Sequence, residues 1–171
     1  NWDFFFTGFH RIFFEGDSWL FSTRATLIRL FPERFWFDAA IAIGAITFAG
    51  AVIAILAGYA FTWVFITIGL VSGSAQAAQG MGMLVVPFSF ISSANVPVES
   101  MPGWLQPFAA NQPMSVIINA VRSLMFGGPE KVGGGIQNHS TAYWVVLSLV
   151  WCAAILLVFG ALATSRFSRT R

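Results

Sequence analysis

Charge is what this sequence has least of. Only 9% of its 171 residues are Asp, Glu, Lys or Arg, and none falls in the sixty positions between Asp38 and Glu99. Soluble domains carry about a quarter charged residues, so an ordinary soluble fold is excluded, and membrane insertion is what fits such a gap. Cysteine is nearly absent. The lone Cys152 excludes an intrachain disulfide and a cysteine-cluster metal site. The one lysine, Lys131, has no Gly-x-x-x-x-Gly-Lys before it, so no phosphate-binding loop is present. His-Glu-x-x-His and Gly-x-Ser-x-Gly are missing too. The net charge of +2 comes mostly from the tail and gives no case for a nucleic-acid partner. His10 and His139 stand alone in different segments and read as surface or interfacial side chains, because sites need convergent groups. Asp3, Glu15, Asp17, Glu33 and Asp38 sit among arginines, where solvated ion pairs are a simpler account than acid–base work. Catalysis, a metal and a cofactor are therefore not expected.

What is present is apolar and helical. Residues 1–38 hold thirteen of the chain's twenty-eight aromatics and read as an interfacial or extracytoplasmic segment. Residues 26–31 begin a short helix that Pro32 interrupts. Residues 39–171 then form a membrane domain, with spans over about 39–71, 77–95 and 143–163. The first of these is one long, tilted helix. On it, Gly50, Ala54 and Gly58 recur every fourth residue, a small-residue stripe of the kind on which helices pack closely. Residues 72–79 are a small, polar turn, and Pro87 is expected to kink the second span. Residues 130–135 read as a flexible connector, and Asn138-His139-Ser140 matches a glycosylation sequon of little meaning for a bacterial protein.

The stretch from Pro87 to Gly128 organises the chain. Prolines at 97, 102, 107 and 113 exclude a long helix across an outer segment over 97–128. After Pro113 an amphipathic helix begins, with Met114, Ile117, Ile118, Val121, Leu124 and Met125 on one stripe. Ser115, Asn119 and Arg122 share a separate polar face. Two readings are open: a solvated loop with one helix lying on the membrane, or a re-entrant pair. Broken backbone at membrane depth is tolerated only where protein or water satisfies its polar groups. Ser89, Ser92, Ser93 and Asn95 gather near Glu99 and Trp104, either as helix glue or as the lining of a pathway.

An apolar span followed by Ser92–Ser115, which reads SSANVPVESMPGWLQPFAANQPMS, and then by Asn119-Ala120-Val121-Arg122-Ser123-Leu124 resembles the C-terminal half of ABC-2 type transporter permeases. The similarity is to the daunorubicin/multidrug-efflux group and covers about residues 50–171. It implies an all-α, polytopic membrane protein of about three transmembrane helices, with a re-entrant or interfacial helix pair between the second and third. It implies the permease part of an ATP-driven exporter in the bacterial inner membrane, with a drug, lipid or polysaccharide as substrate. The implied partners are a separate ABC ATPase, a second permease copy and membrane lipid. It also orients the chain, with residues 1–38 and 97–142 outside and residues 72–79 and the Arg166, Arg169 and Arg171 tail inside.

Residues 1–45 resemble instead an uncharacterised family of bacterial integral membrane proteins, through WDFFFTGFHRIFFEGDSWLF and TLIRLFPERFWFDAA. Two resemblances in one chain that begins at Asn1 suggest a fragment or hybrid, with its seam between Asp38 and Gly58. The alternative function is a non-transporting accessory or structural membrane protein. Ser89, Ser92, Ser93, Asn95, Glu99, Trp104, Asn119 and Arg122 are the candidates for a pathway or outer gate. Within that set, Arg122 and Glu99 are expected to pair and pin the two short helices together.

Overall fold

The structure is a computed structural model, and it describes residues 2–16, 19–20, 22, 24–127 and 139–169. The connector over 130–135 and Asn138 of the sequon lie outside the described residues. Every described element is helical: α1 Trp2–Phe13, α2 Thr26–Leu30, α3 Glu33–Ser72, α4 Ala75–Met83, α5 Val85–Phe90, a 3-10 turn over Val98–Ser100, α6 Gln106–Asn111, α7 Pro113–Phe126 and α8 Thr141–Arg169. The chain divides into two compact units, Asn1–Ala45 and Ile46–Arg171, each with its own packing.

Two helices are long and apolar enough to cross a membrane, α3 and α8. Their most apolar windows are only 6% and 17% buried, which rules out the core helix of a soluble protein. The fold is that of an all-α, polytopic membrane protein. α3 has 40 residues, about 60 Å at 1.5 Å per residue, roughly twice the hydrocarbon thickness. Its charged first turns, with Arg34 and Asp38 paired at 3.9 Å, therefore lie outside the apolar run.

The middle apolar stretch, residues 77–95, is held as two short helices rather than one. α4 begins where Gly73, at φ 69°, turns the chain in a conformation that other residues adopt at a cost. The Ser74 hydroxyl then caps α4 by accepting from the Ala77 N–H at 3.2 Å. The break comes at Leu84, whose N–H reaches back only to Met81 O at 3.1 Å. Pro87 explains the position: it has no N–H for the carbonyl of Met83, and its ring crowds that carbonyl. α5 ends at Phe90, and turns carry the chain to Pro97.

The core of this unit lies where α3, α7 and α8 meet. Ile53, Ala57 and Ala60 of α3 pack with Val116, Ile117 and Ala120 of α7 and with Trp144, Cys152 and Ile155 of α8. Alanines on facing helices allow close approach, and van der Waals packing, not exclusion of water, holds helices together in lipid. The Thr67 hydroxyl lies 2.8 Å from Trp63 O on its own helix and 3.1 Å from Phe159 O on α8, which ties the pair at a second level. The packing stripe of α3 is thus Ile53, Ala57, Ala60 and Thr67, one position off the small-residue series read from the sequence. Gly50 does face α7, where a Cβ would meet Val121 at 3.9 Å, but Ala54 and Gly58 are exposed.

The first unit is built from aromatics. Trp19 is its one buried large apolar side chain among the described residues. Its indole donates to Gly16 O at 2.8 Å, and the Trp36 indole donates to Phe31 O at 3.0 Å. α2 stops at Leu30 and α3 starts at Glu33, with Pro32 between them.

Candidate functional site: the polar stripe of α7

α7 forms for reasons legible in its sequence. Pro113 opens it, where a missing N–H costs nothing, and Gly127 closes it at φ 74° with its N–H on Ser123 O at 3.0 Å. Its orientation is less obvious. Ser115 and Ser123 are fully buried and Asn119 is 1% exposed, whereas Met125 on the apolar stripe is 64% exposed. The polar stripe is thus buried, alongside Ile117 of the apolar one, and only the C-terminal end of the helix is exposed.

That stripe closes the broken end of α5. The Ser115 hydroxyl accepts from the Ser93 N–H at 3.0 Å. Asn119 Oδ1 accepts from the Ser93 hydroxyl at 3.1 Å. The Arg122 guanidinium donates to Ser93 O at 2.7 Å and to Ala94 O at 3.2 Å. One turn earlier, Gln112 Nε2 lies 3.3 Å from Phe88 O and 3.0 Å from Ile91 O. Residues 115, 119 and 122 share one helical face that Gln112 continues at the N-cap; Gln112, Ser115 and Arg122 meet backbone released where α5 stops, and Asn119 meets the Ser93 hydroxyl. Unsatisfied peptide groups cost several kcal/mol in lipid, so the stripe is what lets the chain break there. Gln112 was not among the residues singled out from the sequence. Its signal was available, since it extends the Ser115–Asn119–Arg122 face by one turn.

The other candidates are placed as follows. Ser92 is fully buried, with its hydroxyl 2.6 Å from Ser89 O. Ser89 bonds back to Val86 O at 2.7 Å, and Asn95 Nδ2 donates to Ser89 O at 3.2 Å. These contacts wind the end of α5 into a local knot. Glu99 stands in the 3-10 turn, where its carbonyl receives Gln106 Nε2 at 3.3 Å. Trp104 is 80% exposed and takes no part in the stripe. The expected Arg122–Glu99 pair is not what forms: the guanidinium goes to the carbonyls of Ser93 and Ala94. The reason is proximity, since α7 is buried against the end of α5, and two parallel N–H donors suit two adjacent carbonyls.

A cavity of about 420 Å³ opens beside the break, walled by Phe61, Val64, Val85, Phe88, Phe108 and Trp151. The Trp151 indole is already committed to Asn111 O at 3.1 Å. The wall is therefore almost purely apolar.

The sequence profile of the ABC-2 type transporter family matches residues 19–126, which contain the whole of α3 to α7 and so the entire stripe and its break. The chain belongs to that family. The ABC-2 match starts further toward the N-terminus than residue 50. Among curated relatives, this ABC-2 chain is 32% identical over 120 residues to the daunorubicin resistance ABC transporter permease protein DrrB1 of Streptomyces coeruleorubidus, covering 68% of this chain and 38% of that one. It is 35% identical over 75 residues to the probable doxorubicin resistance ABC transporter permease protein DrrC of Mycobacterium tuberculosis, covering 44% and 27%. An uncharacterized protein of Aquifex aeolicus is 31% identical over 58 residues, 34% of this chain and 27% of its own. The ABC-2 chain thus spans between about a quarter and two fifths of the relatives it matches. A second profile, that of the lipoprotein intramolecular transacylase Lit, matches residues 1–36. No solved structure matches.

Proposed function

We propose that this chain is part of the membrane-spanning permease of an ATP-driven exporter in a bacterial inner membrane. The observation that carries the reading is the inward polar stripe of α7 holding the broken end of α5, in the stretch matched to the ABC-2 family. A helix lying on the surface would have no use for buried Ser115 and Asn119 or for an arginine spent on backbone carbonyls. A re-entrant pair would.

In this reading, residues 72–79 and the tail face the cytoplasm, and residues 97–142 face out. The Arg166, Arg169 and Arg171 tail supports that orientation, since basic residues are retained inside. Energy comes from a separate ABC ATPase, and the substrate passes between two permease copies embedded in lipid. Relatives named for doxorubicin and daunorubicin resistance favour a drug as cargo over a lipid or polysaccharide. The Ser93–Asn119–Arg122 clasp holds the outer mouth, with Ser89, Ser92 and Asn95 shaping the turn it grips.

The test is a chimera. Residues 46–126 of this chain replace the matching segment of the Streptomyces permease DrrB1, expressed with its ATPase. Retained daunorubicin resistance supports the reading, and resistance lost from a chimera that reaches the membrane at normal levels counts against it. Cysteines at Trp104 and Ser168, in a Cys152→Ser background, should label from opposite sides of intact cells. A second reading, a non-transporting accessory protein, draws on the match of residues 1–36 to a different family. A chain that is stable alone and never co-purifies with an ATPase would favour it.

A further inference from the structure

Helix α1 has two sides that the export reading does not use. At 3.6 residues per turn, Asp3, Thr7, His10 and Arg11 fall on one arc, and Phe5, Phe9, Ile12 and Phe13 fall on the opposite one. Phe4 stands at the boundary between them. Packing inside the Asn1–Ala45 unit runs through residues 6 and 10: the Phe6 ring lies 6.0 Å from Trp19, and the His10 ring 5.1 Å from it. The apolar arc is turned away from that contact. Phe9, Ile12 and Phe13 are 49%, 76% and 65% exposed. An exposed apolar face of this kind marks a surface that meets a partner or a membrane.

The unit itself says which. It includes residues 39–45, the start of the uncharged run of α3, a helix long and apolar enough to cross a bilayer. Just before that run, Phe31, Phe35 and Trp36 gather with ring centroids 4.9 to 6.0 Å apart, and all three are exposed. Such aromatic belts sit at the membrane–water boundary. α1 is therefore tied to a helix that enters lipid, at the level where it enters. A second copy of the chain is a poorer cover for this face. Helices associate in lipid by close approach over small residues, and bulky Phe and Ile side chains prevent it. Fluid acyl chains fit around them.

We propose that α1 lies in the plane of the membrane interface, with Phe9, Ile12 and Phe13 sunk among the acyl chains of one leaflet and Thr7 and Arg11 turned to water. In-plane helices of this kind are held by buried apolar area and by attraction of basic side chains to anionic headgroups. Asp3 and Arg11 are the only Asp, Glu, Lys or Arg residues of α1, one of each sign, so apolar burial is the term that acts here.

The test uses the full chain in phosphatidylcholine nanodiscs, in a Cys152→Ser background, with bimane on a single cysteine at Phe9, Ile12 or Arg11. All three side chains are exposed, so folding is not at stake. A lipid with a nitroxide near the top of its acyl chain should quench the Ile12→Cys and Phe9→Cys labels at least threefold more strongly than the Arg11→Cys label. Aqueous iodide should give the reverse order. Salt at about 1 M, which screens charges beyond about 3 Å, should leave the lipid quenching within twofold. Equal iodide quenching at all three sites overturns the proposal in favour of a solvated helix. An Ile12→Cys label shielded from both quenchers overturns it in favour of a protein cover, and lipid quenching lost in salt overturns the apolar anchor. No ATPase or cargo is present in the assay, so its outcome is independent of export.

Discussion

Arg122 reaches across twenty-nine positions to hold the carbonyl of Ser93 at 2.7 Å, and its second N–H group holds Ala94 O. A cation on one short helix thereby closes the free end of another. Arg122→Ala would leave the partly buried Ser93 carbonyl without this donor, at a cost of about 1–3 kcal/mol, while the exposed Ala94 carbonyl can turn to water. Arg122→Lys should recover less than half of that, because a single ammonium cannot match two carbonyls with a planar fork. Thermal unfolding in detergent measures both. An alanine variant as stable as the parent would remove the clasp from the account.

Glu99 should act independently of it. The two side chains do not pair, so the losses from Arg122→Ala and Glu99→Ala are expected to add within about 0.5 kcal/mol. A double-mutant cycle on the same melts checks this. A coupling well above that figure would restore an ion pair as the fastening of the outer segment.

Ser93 and Asn119 offer a sharper probe of the stripe. Their side chains share a bond of 3.1 Å, and Asn119 is almost fully buried. Asn119→Leu is expected to destabilise by about 1–3 kcal/mol, since it strips the Ser93 hydroxyl of its acceptor and widens a packed face. Asn119→Leu together with Ser93→Ala should be less harmful than the sum. Strict additivity would mean that the loss is steric and not polar.

The α3 stripe can be tested by enlarging small residues. Ala60 is fully buried against α7 and α8, so Ala60→Leu should cost about 1–3 kcal/mol through overpacking. Gly58→Leu, two positions away and exposed, should leave the chain's own stability within about 0.5 kcal/mol. The reverse ranking would return the contact to the Gly50–Ala54–Gly58 line.

Gly127 makes the simplest case. At φ 74° it ends α7 in the left-handed region, and an L side chain there costs about 1–2 kcal/mol. Gly127→Ala should therefore lower the melting temperature, and Gly127→Asn should lower it by less. Equal effects of the two would argue for a steric clash, although nothing stands within 4 Å of a Cβ at that position.

Much of this architecture is written locally. The uncharged run before Glu99, the interruption at Pro32, the break one turn before Pro87 and the helix between Pro113 and Gly127 all follow from backbone chemistry within a few residues. What α7 packs against does not. Its apolar residues Ile117, Val121 and Leu124 meet α3 and α8, while Ser115 and Asn119 are buried toward the end of α5, so the helix is engaged on both sides. In lipid the side with hydrogen bonds to make is buried along with the apolar one. The Arg122–Glu99 pairing failed for a related reason: opposite charges are easy to see in sequence, whereas a pair of freed carbonyls is not. The offset of the α3 stripe needed the positions of its neighbours, which a repeat of small residues does not supply.

The inward polar face of α7 also bears on how the protein is made. Residues 75–96 leave the ribosome before residues 113–126, and their broken end carries peptide groups that hydrocarbon cannot solvate. Until α7 arrives, that end must stay in water, in the headgroups or against the insertion machinery. The same holds for α7, whose buried serines and asparagine, and whose arginine, have no place in lipid alone. On the re-entrant reading proposed above, neither piece has an independent path into the bilayer. The stretch from Ala75 to Phe126 would then enter as one unit of biogenesis, and truncation before Arg122 should strand α4 and α5 while leaving α3 able to insert.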